Sequence, residues 1–265
     1  MPNPMQFFEY GYNENFEPEY EAVLSYAVSN GITTPGKNQN YKNDKKIKEL
    51  KALGVWGELD LFYYFKQHSG LSEFCKINWV DPSNYFLTQT TPSKVPVFEP
   101  NKGFKGTAAN LTFFETGYIP STDAVNALLS DTSVFFKTYE EISGCVMGTR
   151  NGSGNNFAVR KTDFSGSDFT QIQTSTVSGG LTKFTDNSHI LHTKNGTLHN
   201  YYVNGTFDSS ITYASTSLSS FQLTLFAWNL AGTVDRFFSG GIEYFALGSG
   251  VFNTIPSQLY TVMNF

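Results

Sequence analysis

Leu198-His-Asn-Tyr-Tyr-Val-Asn-Gly-Thr-Phe207, followed by Phe238-Ser-Gly-Gly-Ile-Glu-Tyr-Phe-Ala-Leu247, is the stretch that decides the architecture. Asn204-Gly205 stands between β-branched and aromatic residues. Both central positions of a tight type I′ hairpin turn need positive φ, which Asn and Gly adopt most readily. A second pair, Asn195-Gly196, lies one strand length upstream, so the two predict a three-stranded meander.

Working outward, short aromatic and β-branched runs recur between turn residues. The strands expected are Asn110–Glu115, Ser133–Tyr139, Gly144–Arg150, Asn156–Lys161, Thr170–Thr176, Ser188–Thr193, Thr197–Val203, Ile211–Ser217, Phe221–Asn229 and Gly240–Ala246. Strands of this length at roughly ten-residue spacing predict a mainly β chain, an antiparallel sandwich. Aromatic residues make up 16% of the 265-residue chain and charged residues only 15%, a balance that supplies apolar area for a core and argues against disorder.

The N-terminal part reads differently. Residues 1–17 form an extended arm whose Phe7, Phe8, Tyr10, Tyr12 and Phe16 favour docking on a body or on a neighbouring subunit over exposure to water. Residues 18–100 are a helical lead-in and a proline-rich connector, and residues 101–265 are the sandwich. Pro18–Asn30 is a predicted helix. A second follows Asn43 or Asp44 as cap, with Ile47, Leu50 and Leu53 on one face and Gly54 closing it. Trp56–His68, apolar nearly all round, is predicted as a third helix lying between other layers. Lys42 to Lys51 holds five lysines and reads as a solvated helix face. Ser257–Phe265 is expected to form a short terminal helix.

The net charge of −5 argues against a nucleic-acid partner, which needs a basic stripe. No apolar run approaches the roughly 20 residues that span a bilayer, and the N-terminus lacks the features of a secretory signal, so neither membrane nor export is expected. Cys75 and Cys145 stand in no metal-ligand spacing; two free thiols is the preferred expectation, with one disulfide as the alternative.

Several segments together resemble the helical lead-in of tailed-bacteriophage virion proteins. They are Tyr20-x-Ala-Val-Leu-x-Tyr-Ala27, Ile47-x-x-Leu-Lys-x-x-Gly-Val-Trp56, Leu59-Asp-x-Phe-Tyr63, Ile77-Asn-Trp79 and Pro82-Ser-Asn-Tyr85. Phe98, Gly103-Phe-x-Gly106 and Gly117-Tyr-Ile-Pro-Ser121 continue the pattern. In those proteins the lead-in precedes a concanavalin A-like (laminin G-like) jelly roll. The resemblance implies a non-enzymatic structural subunit of the particle: capsid-decorating, head-fibre or tail-associated. It would be made in the host cytoplasm, be present in many copies or as a homo-oligomer, and attach to other virion proteins. The alternative it leaves is a receptor- or glycan-binding tail module facing host surface glycans, and behind that a polysaccharide-degrading enzyme. The resemblance transfers neither catalytic residues nor a cofactor.

Candidate chemistry is sparse. Glu58 and Asp60 start the alternating carboxylate pattern of concanavalin-like glucanases, but Phe62 and Tyr63 occupy the place of the third, so no catalytic residue is assigned. With Asn195-Gly196 as a two-residue loop, His192 falls opposite His199 on a surface hairpin, with His189 on the other face. Two imidazoles are too few for a metal site, and a calcium ion on Asp163, Asp168 or Asp186 has no supporting pattern, so no metal is assigned. Trp228, Asn229, Tyr201 and Tyr202, with the loop from Asn151 to Asn156, supply the aromatic and amide groups a sugar site uses. Asn-x-Ser/Thr matches occur at Asn110, Asn151, Asn195 and Asn204, and the turn role explains the Asn-Gly pairs at the last three.

Overall fold

The computed structural model describes residues 15–151, 155–161, 169–174 and 187–264. Helices α1 (Pro18–Ser29) and α2 (Lys37–Ala52) lead into strands β1 (Leu59–Tyr64), β2 (Val97–Glu99), β3 (Gly103–Gly106) and β4 (Phe114–Glu115), then the single turn α3 (Pro120–Asp123). The long β5 (Asp131–Asn151), β6 (Asn155–Lys161), β7 (Phe169–Thr174), β8 (His189–Asn195), β9 (Leu198–Val203) and β10 (Thr206–Thr212) follow. After them come β11 (Thr224–Leu225), β12 (Trp228–Leu230), β13 (Thr233–Asp235), β14 (Ser239–Gly248) and helix α4 (Pro256–Met263).

These strands make two faces of a sandwich, and β5 belongs to both. Its first half pairs with β8 on one side and β14 on the other, in a front sheet ordered β10-β9-β8-β5-β14-β3-β2, with β1 beside β3 along the same edge of β14. Its second half pairs with β6, β11 and β12 in a back sheet completed by β7, β4 and β13. The strand changes sheet between Glu140 (φ 64) and Gly144 (φ 91), two left-handed positions that bend it sharply. A Cβ at Gly144 would strike the Phe237 carbonyl, so glycine is required there. The two predicted strands Ser133–Tyr139 and Gly144–Arg150 are therefore one bent strand. The mainly β, antiparallel sandwich expected from the turn spacing is what forms.

The core between the sheets takes Leu61, Tyr63, Val134, Phe136, Ile242 and Phe245 from the front, and Val146, Met147, Phe157, Val159 and Leu225 from the back. A second core covers the outer face of the front sheet. There Leu59, Phe62, Tyr64, Phe135, Leu191, Tyr202 and Tyr244 meet Tyr20, Val23, Ile47, Leu50, Leu259 and Met263 of the helices. Trp79 is the centre of this layer: its ring lies 5.6 Å from those of Tyr20, Phe62 and Tyr64 and 6.2 Å from that of Phe74. Edge-to-face and tilted contacts of this kind add about 0.5–1.5 kcal/mol per pair beyond area burial.

The expected third helix over Trp56–His68 is instead a 3-10 turn, Trp56–Glu58, followed by β1. The segment reads apolar all round because β1 is buried on both faces, with alternate residues in the two cores. β1 and β2 lie within residues 18–100 yet are strands of the front sheet. The second helix starts at Lys37, after Gly36, and not at Asn43 or Asp44. Those two residues are buried within it: Asn43 bonds Tyr20 Oη at 3.0 Å, and Asp44 Oδ1 accepts the Glu17 N–H at 2.6 Å. Its lysines are not uniformly solvated. Lys46 is buried, donating to the Val262 carbonyl at 2.7 Å and lying 5.5 Å from the Tyr64 ring centroid, so α2 is tied to α4. Burial pulls its amine down to about 8. Phe16, the one arm aromatic among the described residues, packs edge-on to Tyr20 and Tyr41; Phe7, Phe8, Tyr10 and Tyr12 lie outside them.

The hairpin at Asn204-Gly205 forms as expected: Val203 pairs with Thr206, and the two loop residues have φ of 51° and 77°. The upstream hairpin is shifted. Asn195 pairs with Leu198, which leaves Gly196-Thr197 as the loop, because Asn195 is also held in the ladder opposite Asp131 of β5. The shift is by two residues, an even number, so every side chain keeps its face. Cys75 and Cys145 are both buried free thiols, which excludes the disulfide. No described helix is long and apolar enough to cross a membrane.

Candidate functional site

On the outer face of the back sheet, Cys145 and Gly148 of β5 and Ala158 of β6 form a floor of small residues. The indole of Trp228, at the start of β12, lies on this floor. A Cβ at Gly148 would sit 2.7 Å from Trp228 Cδ1 and 3.1 Å from the Ala158 Cβ, so the close approach needs glycine. β12 runs parallel to β5 (Asn229 opposite Thr149), and Arg160 of β6 pairs with Cys145. That register brings Arg150, Arg160 and Arg236 around the indole, their guanidinium carbons 5.8, 5.3 and 5.4 Å from the ring centroid. They are the only three arginines in the sequence; all other basic side chains, histidines aside, are lysines.

Cation–π contact stabilises each guanidinium by roughly 0.5–2 kcal/mol, more when desolvated. Opposing this, the three charges repel. Burial and, next, the neighbouring Arg236 pull Arg160 down to about 10, while Asp235 acts in the other direction. Trp228 is 2% exposed and Arg160 5%, whereas Arg150 and Arg236 are half-buried and reach solvent. The Trp228 Nε1–H and the Arg150 Nε–H are buried donors with no acceptor among the described residues. The arrangement is thus a donor-rich, cationic surface supported on an aromatic ring.

The four residues proposed for glycan contact do not form one patch. Tyr201 is in the inter-sheet core. Tyr202 faces the helical layer and donates to Asn253 Oδ1 at 2.6 Å. Asn229 is buried, donating to the Gln222 carbonyl and accepting from the Gly232 N–H, both at 2.9 Å. Trp228 is covered, so it supports the arginines and offers no open face for a sugar ring. Alternation along each strand separates Tyr201 from Tyr202 and Trp228 from Asn229.

His192 and His199 are together but buried, not on the surface. His192 lies opposite Tyr201, and His199 opposite Lys194, so the imidazoles meet diagonally, Nε2 to Nδ1, at 3.0 Å. His189 is on the other face of the sheet, bonded to Tyr244 Oη at 2.6 Å. Among the described residues no group of three or more His, Cys, Asp or Glu could hold a metal; Asp163, Asp168 and Asp186 lie outside them.

Glu58 and Asp60 are engaged in the fold. Asp60 accepts from Tyr118 Oη at 2.9 Å and from the backbone N–H groups of Val125, Asn126 and Ala127 at 3.2, 2.9 and 3.0 Å. Glu58 accepts from the Ser249 hydroxyl at 2.8 Å.

No protein-family model matches the sequence, and no curated protein is measurably similar to it. Among solved structures, domain 4 of AbnA, a GH43 extracellular arabinanase from Geobacillus stearothermophilus in complex with arabinotriose, is similar at 12% identity and a TM-score of 0.48, over 77% of this chain and 98% of that one. The receptor binding domain of botulinum neurotoxin D is similar at 12% identity and a TM-score of 0.45, over 78% of this chain and 53% of that one. A K499G mutant of the NanB sialidase from Streptococcus pneumoniae matches at 16% identity and a TM-score of 0.30, over 49% of this chain and 25% of that one. At such scores neither site nor ligand is transferred to this chain, whose architecture stands on its own strand pairing.

Proposed function

We propose that the chain is a non-catalytic binding module of the lectin-like sandwich type, with the outer face of the back sheet as its working surface and a glycan or glycosylated receptor as its ligand. The observation that carries this is the convergence of Arg150, Arg160 and Arg236 on Trp228. Planar guanidiniums are the side chains best suited to forked recognition of oxygen ligands. A non-catalytic role is supported by the engagement of Asp60 with four donors and of Glu58 with Ser249. The test is a glycan array probed with the full chain and with an Arg236→Gln variant. Binding to a defined set of glycans that weakens in the variant is expected, and an array with no signal above background overturns the proposal.

The finer setting is a tailed-phage particle, where many copies would add avidity to weak single sites. It rests on the sequence resemblance, whose residues pack together in this fold. Tyr20, Trp56, Phe62 and Trp79 share the helical core, Asn78 Oδ1 accepts the Phe62 N–H at 2.9 Å, and Tyr118 bonds Asp60 at 2.9 Å. A density map of intact particles containing this chain tests it: the chain must occupy a symmetric, repeated position on the head or tail.

A further inference from the structure

Resting on the binding role proposed for the back sheet, we infer that its ligand is an acidic sugar, one whose carboxylate or sulfate oxyanion is held by Arg150 and Arg236 over the Trp228 ring. The argument begins with composition. The chain carries 18 lysines and arginines and is acidic overall, yet all three arginines meet at one ring. A surface needing only solubility would use lysine, as the rest of this chain does. Arginine is favoured where an oxyanion is met by two parallel N–H groups.

Hydrogen-bond accounting points the same way. The indole N–H can only donate, and so can every guanidinium nitrogen. Trp228 Nε1 and Arg150 Nε are buried without an acceptor among the described residues. A buried donor left without an acceptor is costly, and an oxyanion brings several lone pairs to one point. Asp235, a carboxylate that acts on Arg160, is itself exposed and accepts the Arg236 backbone N–H at 2.7 Å. A neutral sugar could accept from the same donors but brings no negative charge to meet the guanidiniums, of which Arg236 already lowers Arg160. Duplex nucleic acid is the less favoured polyanion, since the chain is acidic overall and the cluster is one compact point, not a stripe.

The experiment measures binding of the full chain to polygalacturonate, dextran sulfate and neutral dextran by calorimetry, at low and at physiological salt, with duplex DNA as a non-sugar polyanion. Binding to one or both acidic polymers, weaker as salt rises and absent for dextran, is expected; which acidic polymer binds identifies carboxylate or sulfate. Arg150→Gln and Arg236→Gln should each lower affinity about tenfold or more, while Lys102→Gln, in a separate surface ion-pair network, should leave it unchanged. Where a Gln variant fails to fold, Arg150→Lys and Arg236→Lys keep the charge and remove the fork, and a severalfold loss is still expected. Equal binding to dextran, acidic binding indifferent to Arg150 and Arg236, or equally tight binding to DNA each overturns the acidic-sugar inference and leaves the broader binding role standing. Absence of binding to every polymer here and to the glycan array overturns both.

Discussion

His192 Nε2 and His199 Nδ1 lie 3.0 Å apart inside the sandwich, with the His192 ring centroid 4.4 Å from that of Tyr201. One ring nitrogen donates and the other accepts, so the contact holds with at most one of the two imidazoles protonated, and burial favours both being neutral. Burial, reinforced by Lys194, pushes His199 down to about 4; burial, His199 and Lys194 together push His192 well below its ordinary value. On the opposite face, burial and Lys137 bring His189 to about 4.

Acid sensitivity follows with a definite sign. In the unfolded chain these rings titrate near 6.5, and in the fold they titrate lower. Their contribution is therefore fully present above about pH 6.5 and is lost as pH falls toward 4, because the unfolded state binds the protons first. Denaturant titrations across this window should show stability falling by up to about 1.4 kcal/mol per pH unit for each histidine. The double variant His192→Gln, His199→Gln should lose part of that slope. An unchanged slope in the variant would remove the pair as its source.

Asp60 offers a second test. Its carboxylate is surrounded by one hydroxyl and three backbone N–H groups, all donors. Asp60→Asn turns an –NH2 toward some of those donors and should cost about 2–4 kcal/mol in denaturant unfolding. Glu58→Gln keeps an acceptor for Ser249 and should cost no more than roughly 0.5 kcal/mol. If instead either variant abolished a polysaccharide-cleaving activity while leaving stability unchanged, the two carboxylates would be catalytic and not structural.

How much of this was legible in the sequence depended on local chemistry. Asn204-Gly205 declared its turn because positive φ is a property of the two residues themselves. The short strands declared themselves through alternation and through Gly, Asn and Ser between them. β1 did not: Leu59-Asp-Leu-Phe-Tyr-Tyr64 is buried on both faces, and a strand without a wet side has no period-two signal. Asn43, Asp44 and Lys46 misled for the converse reason, being polar residues buried through partners on α1, β1 and α4 that no local pattern reveals. The arginine cluster spans 86 positions, from 150 to 236, and exists only through the bend of β5 and the parallel pairing of β12. Its one sequence-level trace, three arginines against fifteen lysines, acquires meaning once the register is known.

Gly148 links that register to the site. Because a Cβ there would meet Trp228 Cδ1 at 2.7 Å, Gly148→Ala must lift or tilt the indole. The expected cost is about 1–3 kcal/mol, together with a changed near-ultraviolet circular dichroism band and weaker binding to an acidic polysaccharide. A variant with an altered tryptophan signal but undiminished binding would show that the ring does not position the arginines.

The helical layer makes the strongest demand on the folding unit. β1 hydrogen-bonds along β14 from Leu59↔Gly248 to Tyr64↔Tyr244, and Trp79 seals the outer face against α1. A fragment of residues 101–265 would therefore expose an edge of β14 and the apolar face formed by Phe135, Leu191, Tyr202, Tyr244 and Ala246. Such a fragment should bind a hydrophobic dye and melt without a cooperative transition, whereas residues 15–265 should unfold cooperatively. Trp79→Ala probes the same layer in the full chain. Losing a fully buried indole packed on four aromatic rings should cost about 3–5 kcal/mol, with α1 becoming the first site of proteolysis. Cooperative unfolding of the fragment at the temperature of the full chain would show instead that the sandwich is complete without its helices.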